Sequence, residues 1–195
     1  MRSDDKDRRD DDRRGEDRRD EDRRQFSEYF AARRDVVRRS AYLMCGDWHW
    51  ADDLAQAAFI RLASAWHRVR DQQALDAFVR TCLVRSYLAE TRRVWRRRER
   101  AVGDLPESAG PDDDAESVTR RVAFARALRE VPPRQRVTLI CRYYHQLDVA
   151  ETAAVLGCSE GTVKSQTARG LATLRRVLGD AIPAQRLVSV TESKT

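Results

Sequence analysis

No run of about 18 apolar residues occurs in this chain, so no segment is expected to cross a membrane. No basic stretch followed by an apolar one opens it, which argues against a secretory leader and points to the cytoplasm. The four cysteines, Cys45, Cys82, Cys141 and Cys158, are widely spaced and form no C-x-x-C pair. Free buried thiols are the expectation for such a chain. Histidine is scarce as well: His49, His67 and His145. Cys45 and His49 are four residues apart and can share a helix face, but two further ligands are lacking, so no metal site is expected. The histidines and scattered carboxylates make no catalytic constellation, and no enzyme activity or cofactor is implied. Period-two alternation is absent too, leaving an all-α reading.

What the chain has in abundance is charge. Charged residues make up 36% and the net charge is +6, with a pI near 9.5, a balance that favours a polyanionic partner. The charge is unevenly placed. Residues 7–24 repeat DRRDD, DRRGE, DRRDE and DRR, and residues 1–24 hold ten basic against eleven acidic side chains, so the remainder carries +7. Asp is a poor helix former, Arg before Asp at i,i+4 is the weaker orientation, and no apolar residue anchors the repeat. Residues 1–25 therefore read as a disordered tail, with a fluctuating helix as the alternative.

Apolar spacing begins at residue 26. Phe26, Phe30, Val37, Ala41 and Met44 predict a helix ending near Gly46. Asp47 can cap a second helix with Trp50, Leu54, Ala58, Leu62 and Ala65 on one side and Asp52, Asp53, Gln56 and Arg61 on the other. After a polar turn, a long helix runs from about Leu75 to Arg98 along Leu75, Phe78, Val79, Cys82 and Leu88. Residues 101–117, with two Pro, two Gly and an acidic run, read as a linker. Such a chain spans roughly 23 Å root-mean-square and about 58 Å drawn out. Two helical domains, 26–100 and 118–180, with some freedom between them, are the expectation. The end, 181–195, is too short for another domain.

The second domain opens with a helix on Val118, Val122, Ala125, Leu128 and Val131, stopped by Pro132-Pro133. Val137, Leu139, Ile140 and Tyr144 mark the next helix. Asp148 and Glu151 have capping-box spacing ahead of VAETAAVL, Gly157 suits a helix stop, and Ser159 caps a final helix. Helix, tight turn, helix is the helix-turn-helix plan. On a wheel, Val163, Thr167, Leu171, Leu174 and Leu178 face inward. The outer face carries Gly161, Thr162, Ser165, Ala168, Arg169, Ala172 and Arg176, flanked by Lys164 and Gln166. Small residues permit close approach, and Ser, Thr, Gln, Lys and Arg can bond base edges or phosphates, so this face fits a DNA major groove. Six Arg against one Glu between Arg92 and Arg100 form the densest positive patch and suit phosphate neutralisation.

The run PRQRVTLICRYYHQLDVAETAAVLGCSEGTVKSQTARGLATLR resembles region 4 of the extracytoplasmic-function sigma factors, the GTVKSQTARGLATLR portion looking most like their actinobacterial SigE-type group. ADDLAQAAFIRLASAW resembles region 2.2, and the helix ending RRVWRRRER resembles regions 2.3 and 2.4. The resemblance spans about residues 26–180. It implies a dissociable initiation subunit of bacterial RNA polymerase that helps open the minus-ten element. Its partners would be core RNA polymerase, through the clamp coiled coil and flap, promoter DNA, and in many relatives an anti-sigma factor.

By the same resemblance, Asp52, Asp53, Leu54, Gln56 and Phe59 would meet the clamp helices. Arg70, Asp71, Gln72 and Gln73 would form the loop that reads the minus-ten element, and Arg85, Arg92, Arg93, Arg96 and Arg97 would hold its phosphates. Glu160, Thr162, Lys164, Ser165, Gln166 and Arg169 would read the minus-thirty-five element. Two features depart from a simple DNA-reading helix: Glu160 repels phosphate unless it bonds cytosine or an amide, and Gly170 weakens the helix by up to about 1 kcal/mol relative to Ala. Trp95 and Tyr87 suit base stacking or packing in their own domain; Arg142 and Tyr143 suit phosphate, flap or support of the motif. The alternative is a helix-turn-helix regulator acting without polymerase, using only 118–180.

Overall fold

The computed structural model describes residues 3–68, 71–98 and 124–178. All regular structure among them is helical: α1 (Ser3–Cys45), α2 (Trp48–Ala65), a short 3₁₀ turn (Trp66–Arg68), α3 (Gln72–Arg98), α4 (124–129), α5 (Pro133–Leu139), a π-helical turn (Ile140–Tyr144), α6 (Val149–Leu156) and α7 (Glu160–Leu178). The linker 101–117, the positions Val118 and Val122, and residues 181–195 lie outside the described residues.

α1 runs from Ser3 to Cys45, so the charged tail takes here the helical form that was its alternative reading. Where the repeat joins the apolar part of α1, acids sit three or four residues before their partners. Arg23 reaches Asp20 at 3.1 Å, Arg24 reaches Glu21 at 2.5 Å, and Gln25 donates to Glu21 at 2.6 Å. Acid preceding base at this spacing is the favourable orientation. Asp20 and Glu21 pair forward, whereas the expectation of disorder weighs only the Arg-before-Asp pairs.

The helix ends follow local chemistry. Asp47 caps α2 by accepting from the Trp50 amide at 2.8 Å, and Gly46 makes the preceding turn at φ +74°. Asp148 and Glu151 complete the capping box in both directions, at 2.7 and 2.8 Å. Gly157 closes α6 in the left-handed conformation, φ +62°. Such caps contribute about 1 kcal/mol each.

In the first half, α1, α2 and α3 bury Tyr29, Ala41, Met44, Leu54, Ala58, Phe59, Leu62, Leu75, Val79, Leu83 and Tyr87 together. The Tyr29 hydroxyl donates to Asp76 at 2.8 Å, and Arg33 holds the other carboxylate oxygen at 3.0 Å. In the second half, Phe124, Leu128 and Val131 pack on Leu139 and Leu174.

The halves do not stand apart. Val137, Ile140, Cys141, Leu147 and Val155 of the second belong to the same buried cluster as the first-half core. Buried Arg136 donates to the Met44 carbonyl across the junction at 2.6 Å, while also holding the carbonyls of Arg129 at 2.6 Å and Val131 at 3.0 Å. Burial pulls the pKa of this guanidinium down, and the carbonyl cage satisfies its donors. The π-helical turn swings His145 towards α1, where its Nε2 and the Ser40 hydroxyl are hydrogen-bonded at 2.8 Å. In this conformation the second half thus shares part of its buried surface with the first, while Phe124, Leu128, Val131, Leu139 and Leu174 form a second cluster of their own.

Gly170, expected only to weaken α7, is a contact point. A Cβ there would lie 3.0 Å from Leu139 Cδ1 and 3.4 Å from Gln135 Cβ. Bare backbone lets α7 press against α5. Gly170→Val should lower stability by about 1–3 kcal/mol through overpacking, measured by urea unfolding. Unchanged or raised stability would contradict the close approach.

Burial, with Arg80 nearby, pushes the His145 pKa down from 6.5 to about 3. The unfolded chain therefore takes up a proton below pH 6.5 that the native state refuses until about pH 3, so stability is lost as pH falls through that window. The loss approaches roughly 1.4 kcal/mol per pH unit. His145→Gln should flatten this component in thermal unfolding between about pH 7.5 and 5; an unaltered slope would show that His145 is not its source.

Candidate nucleic-acid interface

Ser159 anchors the start of α7. Its hydroxyl accepts from the Thr162 amide at 3.2 Å and bonds the Thr162 hydroxyl at 2.9 Å. Val163, Gly170 and Leu174 are buried, which turns the other side outward. Glu160, Lys164, Ser165 and Arg169 are exposed there together with Gly161, Ala168 and Ala172. Thr162 and Gln166 are half-buried, and the Thr162 hydroxyl is engaged in the cap. The predicted reading face is therefore a physical surface: basic and hydroxyl groups among small residues, at the amino-terminal half of a helix whose dipole favours phosphate.

The other predicted DNA residues lie on α3 and the turn before it. Gln72 and Gln73, expected in a loop, form the first turn of α3 instead. The cause is Asp71, whose carboxylate accepts from the Ala74 amide at 3.2 Å and starts the helix there. Arg85, Arg92 and Arg93 are exposed along α3. Arg96 and Arg97 continue the helix, but their side chains, and Arg70 as a whole, lie outside the described residues. Tyr87 is buried and packs on Trp50 at 5.5 Å between ring centres, so the packing alternative holds for it. Trp95 lies outside the described side chains.

Beside this turn is an open cleft of about 690 Å³ between the charged part of α1 and the 3₁₀ turn. Glu21, Asp22, Glu28, Tyr29, Trp66 and His67 are among its walls.

The predicted polymerase-facing set divides in two. Asp53 and Gln56 are exposed, and Ile60, at 60% exposure, stands one turn beyond Gln56. Asp52 is exposed but already engaged, its two oxygens held by the Arg38 guanidinium, one at 3.1 Å, which lowers its pKa. Leu54 and Phe59 are core residues, 1% and 5% exposed, and support the helix from behind. Arg38 itself, stacked over Trp48 at 4.3 Å, carries no signal in the sequence. Only the fold brings residue 38 beside residue 52. Arg142 is held by the Leu147 carbonyl and braces the turn before α6.

Among the described residues, no group of three or more His, Cys, Asp or Glu is placed to hold a metal ion, and no helix is long and apolar enough to cross a membrane. Burial raises the pKa of Cys45 to about 11 and of Cys141 to about 12. Such thiols stay protonated and unreactive.

Comparison with known proteins matches residues 29–97 to sigma-70 region 2 and residues 121–174 to sigma-70 region 4. The RNA polymerase sigma-E factor of Streptomyces coelicolor is 37% identical over 159 residues, covering 79% of this chain and 86% of the relative. That of Streptomyces avermitilis is 34% identical over 157 residues, covering 79% and 85%. In fold, the chain resembles the sigma factor RpoE, crystallised in complex with the anti-sigma factor NepR from Bartonella quintana, with a TM-score of 0.67. The identity is 21%, with 81% of this chain and 99% of that one covered. Two region signatures in order, a helix-turn-helix with an exposed polar face on its last helix, and relatives matched over most of their length agree: the chain belongs to the sigma-70 family, as an RNA polymerase sigma factor of the extracytoplasmic-function type.

Proposed function

We propose that this sigma factor grips promoter DNA and polymerase through the following surfaces. α7 enters the major groove of the minus-thirty-five element, with Lys164, Ser165 and Arg169 as its principal contacts and Glu160 and Gln166 as edge contacts. Thr162 serves the cap more than the groove. Arg85, Arg92, Arg93, Arg96 and Arg97 hold phosphates beside the minus-ten element, and Arg70, Asp71 and Gln73 stand at its base-reading edge. Asp53, Gln56 and Ile60 face the clamp helices of core polymerase, with Leu54 and Phe59 setting the helix in place and Asp52 orienting Arg38. The chain works in the cytoplasm and supplies recognition, not nucleotide chemistry. The observation that carries this reading is the division of α7 into a buried Val163–Gly170–Leu174 stripe and an exposed polar face.

A regulator acting without polymerase would have no use for the exposed Asp53–Gln56–Ile60 strip. Reconstituted transcription decides between the two. Purified chain added to core polymerase should start RNA from specific sites in genomic fragments; DNA binding with no polymerase association would defeat the proposal.

Arg169→Ala should weaken minus-thirty-five binding by about 1–3 kcal/mol and relax base preference at one position, read by fluorescence anisotropy on a set of single-base variants. A uniform loss across all variants would assign Arg169 to phosphate instead. For the minus-ten side, Arg96→Ala combined with Arg97→Ala should reduce the log–log salt slope of binding by about 0.9 for each phosphate left without its arginine. A slope equal to the parent's would remove both from the interface.

A further inference from the structure

We infer that Trp50 is a positioning residue for the grip on the minus-ten side: its indole N–H holds the Glu90 carboxylate against α2 and so keeps Arg93 open for a DNA phosphate. The inference rests on the functional reading above, which assigns Arg93 to phosphate.

The charge pattern of α3 sets the problem. Residues 80–98 carry seven arginines and a single acid, Glu90. Arg93 stands three residues after it. Residues at that spacing are neighbours on a helix, about 5–6 Å apart at Cβ, and acid before base is the favourable order. The chain makes this pair elsewhere: Glu21 and Arg24, the same residue types at the same spacing, meet at 2.5 Å on α1. A pair between Glu90 and Arg93 would cancel one charge of the arginine row, and a phosphate would have to break it before binding. Among the described residues, no ion pair joins Glu90 to Arg93.

Another group holds the acid. Trp50 Nε1 donates to Glu90 Oε2 at 2.5 Å. A hydrogen bond to an ionised acceptor is roughly twice as strong as one between neutral groups. The donor is fixed by its own surroundings. The Trp50 amide donates to the Asp47 cap at 2.8 Å, and the ring packs on buried Tyr87 with 5.5 Å between centres. Cap and core therefore set the place of the indole, and the carboxylate comes to a donor already in position. Tyr87 lies three residues before Glu90 and Arg93 three after, so Glu90 stands where the buried side of α3 gives way to the arginine side. Glu90 is half-buried there, whereas Arg93 is exposed. An indole N–H only donates. It satisfies the acid without adding a charge, or an acceptor that would compete for the arginines.

The test uses the full chain on a labelled DNA duplex of mixed sequence, because the electrostatic part of binding does not depend on base sequence. Trp50→Phe keeps a ring against Tyr87 and removes the donor, with folding checked by circular dichroism. Glu90 is then free to pair with Arg93, and the log–log salt slope of binding should fall by about 0.9, one phosphate contact. Adding Glu90→Gln to Trp50→Phe should restore the parent's slope, because the competing charge is gone. A merely structural role for Trp50 predicts that the loss persists in the double variant. A slope unchanged by Trp50→Phe, or a loss that Glu90→Gln does not restore, would overturn the inference. In NMR spectra of the chain with Trp50 intact, Glu90→Gln should move the Trp50 indole proton upfield, since an amide acceptor draws on it less than a carboxylate. An unmoved resonance would overturn the inference even if Trp50→Phe does not fold. Arg93→Ala separates the two readings. If it leaves the parent's slope unchanged, the assignment of Arg93 to phosphate fails and the inference with it. If it lowers the slope while Trp50→Phe does not, only the inference fails.

Discussion

The structure depends on a buried arginine at the seam of two small helical bundles. Arg136 is 7% exposed and is held by three backbone carbonyls rather than by a carboxylate among the described residues. A charge in that place is tolerable only if its donors are occupied. The requirement ties together the end of α1, the turn after α4 and the start of α5. α5 begins at Pro133, whose fixed backbone suits a first helical position, and Arg136 lies one turn further on, where it reaches the Met44 carbonyl.

From that seam outward the chemistry of each surface follows. Apolar stripes of the helices turn inward to one seam, so the polar faces of α2, α3 and α7 are left outside. These carry, in turn, an acidic and amide strip, a row of arginines and a mixed basic and hydroxyl face. The π-helical turn at Ile140–Tyr144 lies where the two bundles meet. It widens the helix by one residue, leads into Gln146 at φ +54°, and brings His145 to Ser40. Wide turns of this kind mark functional places in helices.

The departures from expectation have separate physical causes. Asp content argues for disorder in the charged repeat, whereas the acid-to-base pairs Asp20–Arg23 and Glu21–Arg24 at its end favour the helical alternative. Gln72 and Gln73 belong to helix and not loop because Asp71 is a better start signal than any apolar residue after it. Gly170 is a weak point by helix propensity, yet here it is the place where two helices approach closely. Leu54 and Phe59, contact residues by resemblance, sit behind the surface that Asp53 and Gln56 present.

The amino-acid sequence by itself determined the apolar helices, the caps at Asp47, Asp148 and Ser159, the order of the two DNA-binding signatures and the face α7 turns outward. All of these are short-range: a capping box spans about four residues and a helical stripe repeats about every three or four. Only the tertiary structure decided that the halves share a core, that Arg38 belongs with Asp52, that Tyr87 is buried, and that His145 faces Ser40. Each of those joins residues 14 to 105 positions apart, or apolar stripes that have several possible mates. Periodicity states that a stripe must be covered; which other stripe covers it is settled by shape, and shape exists only once the chain has folded.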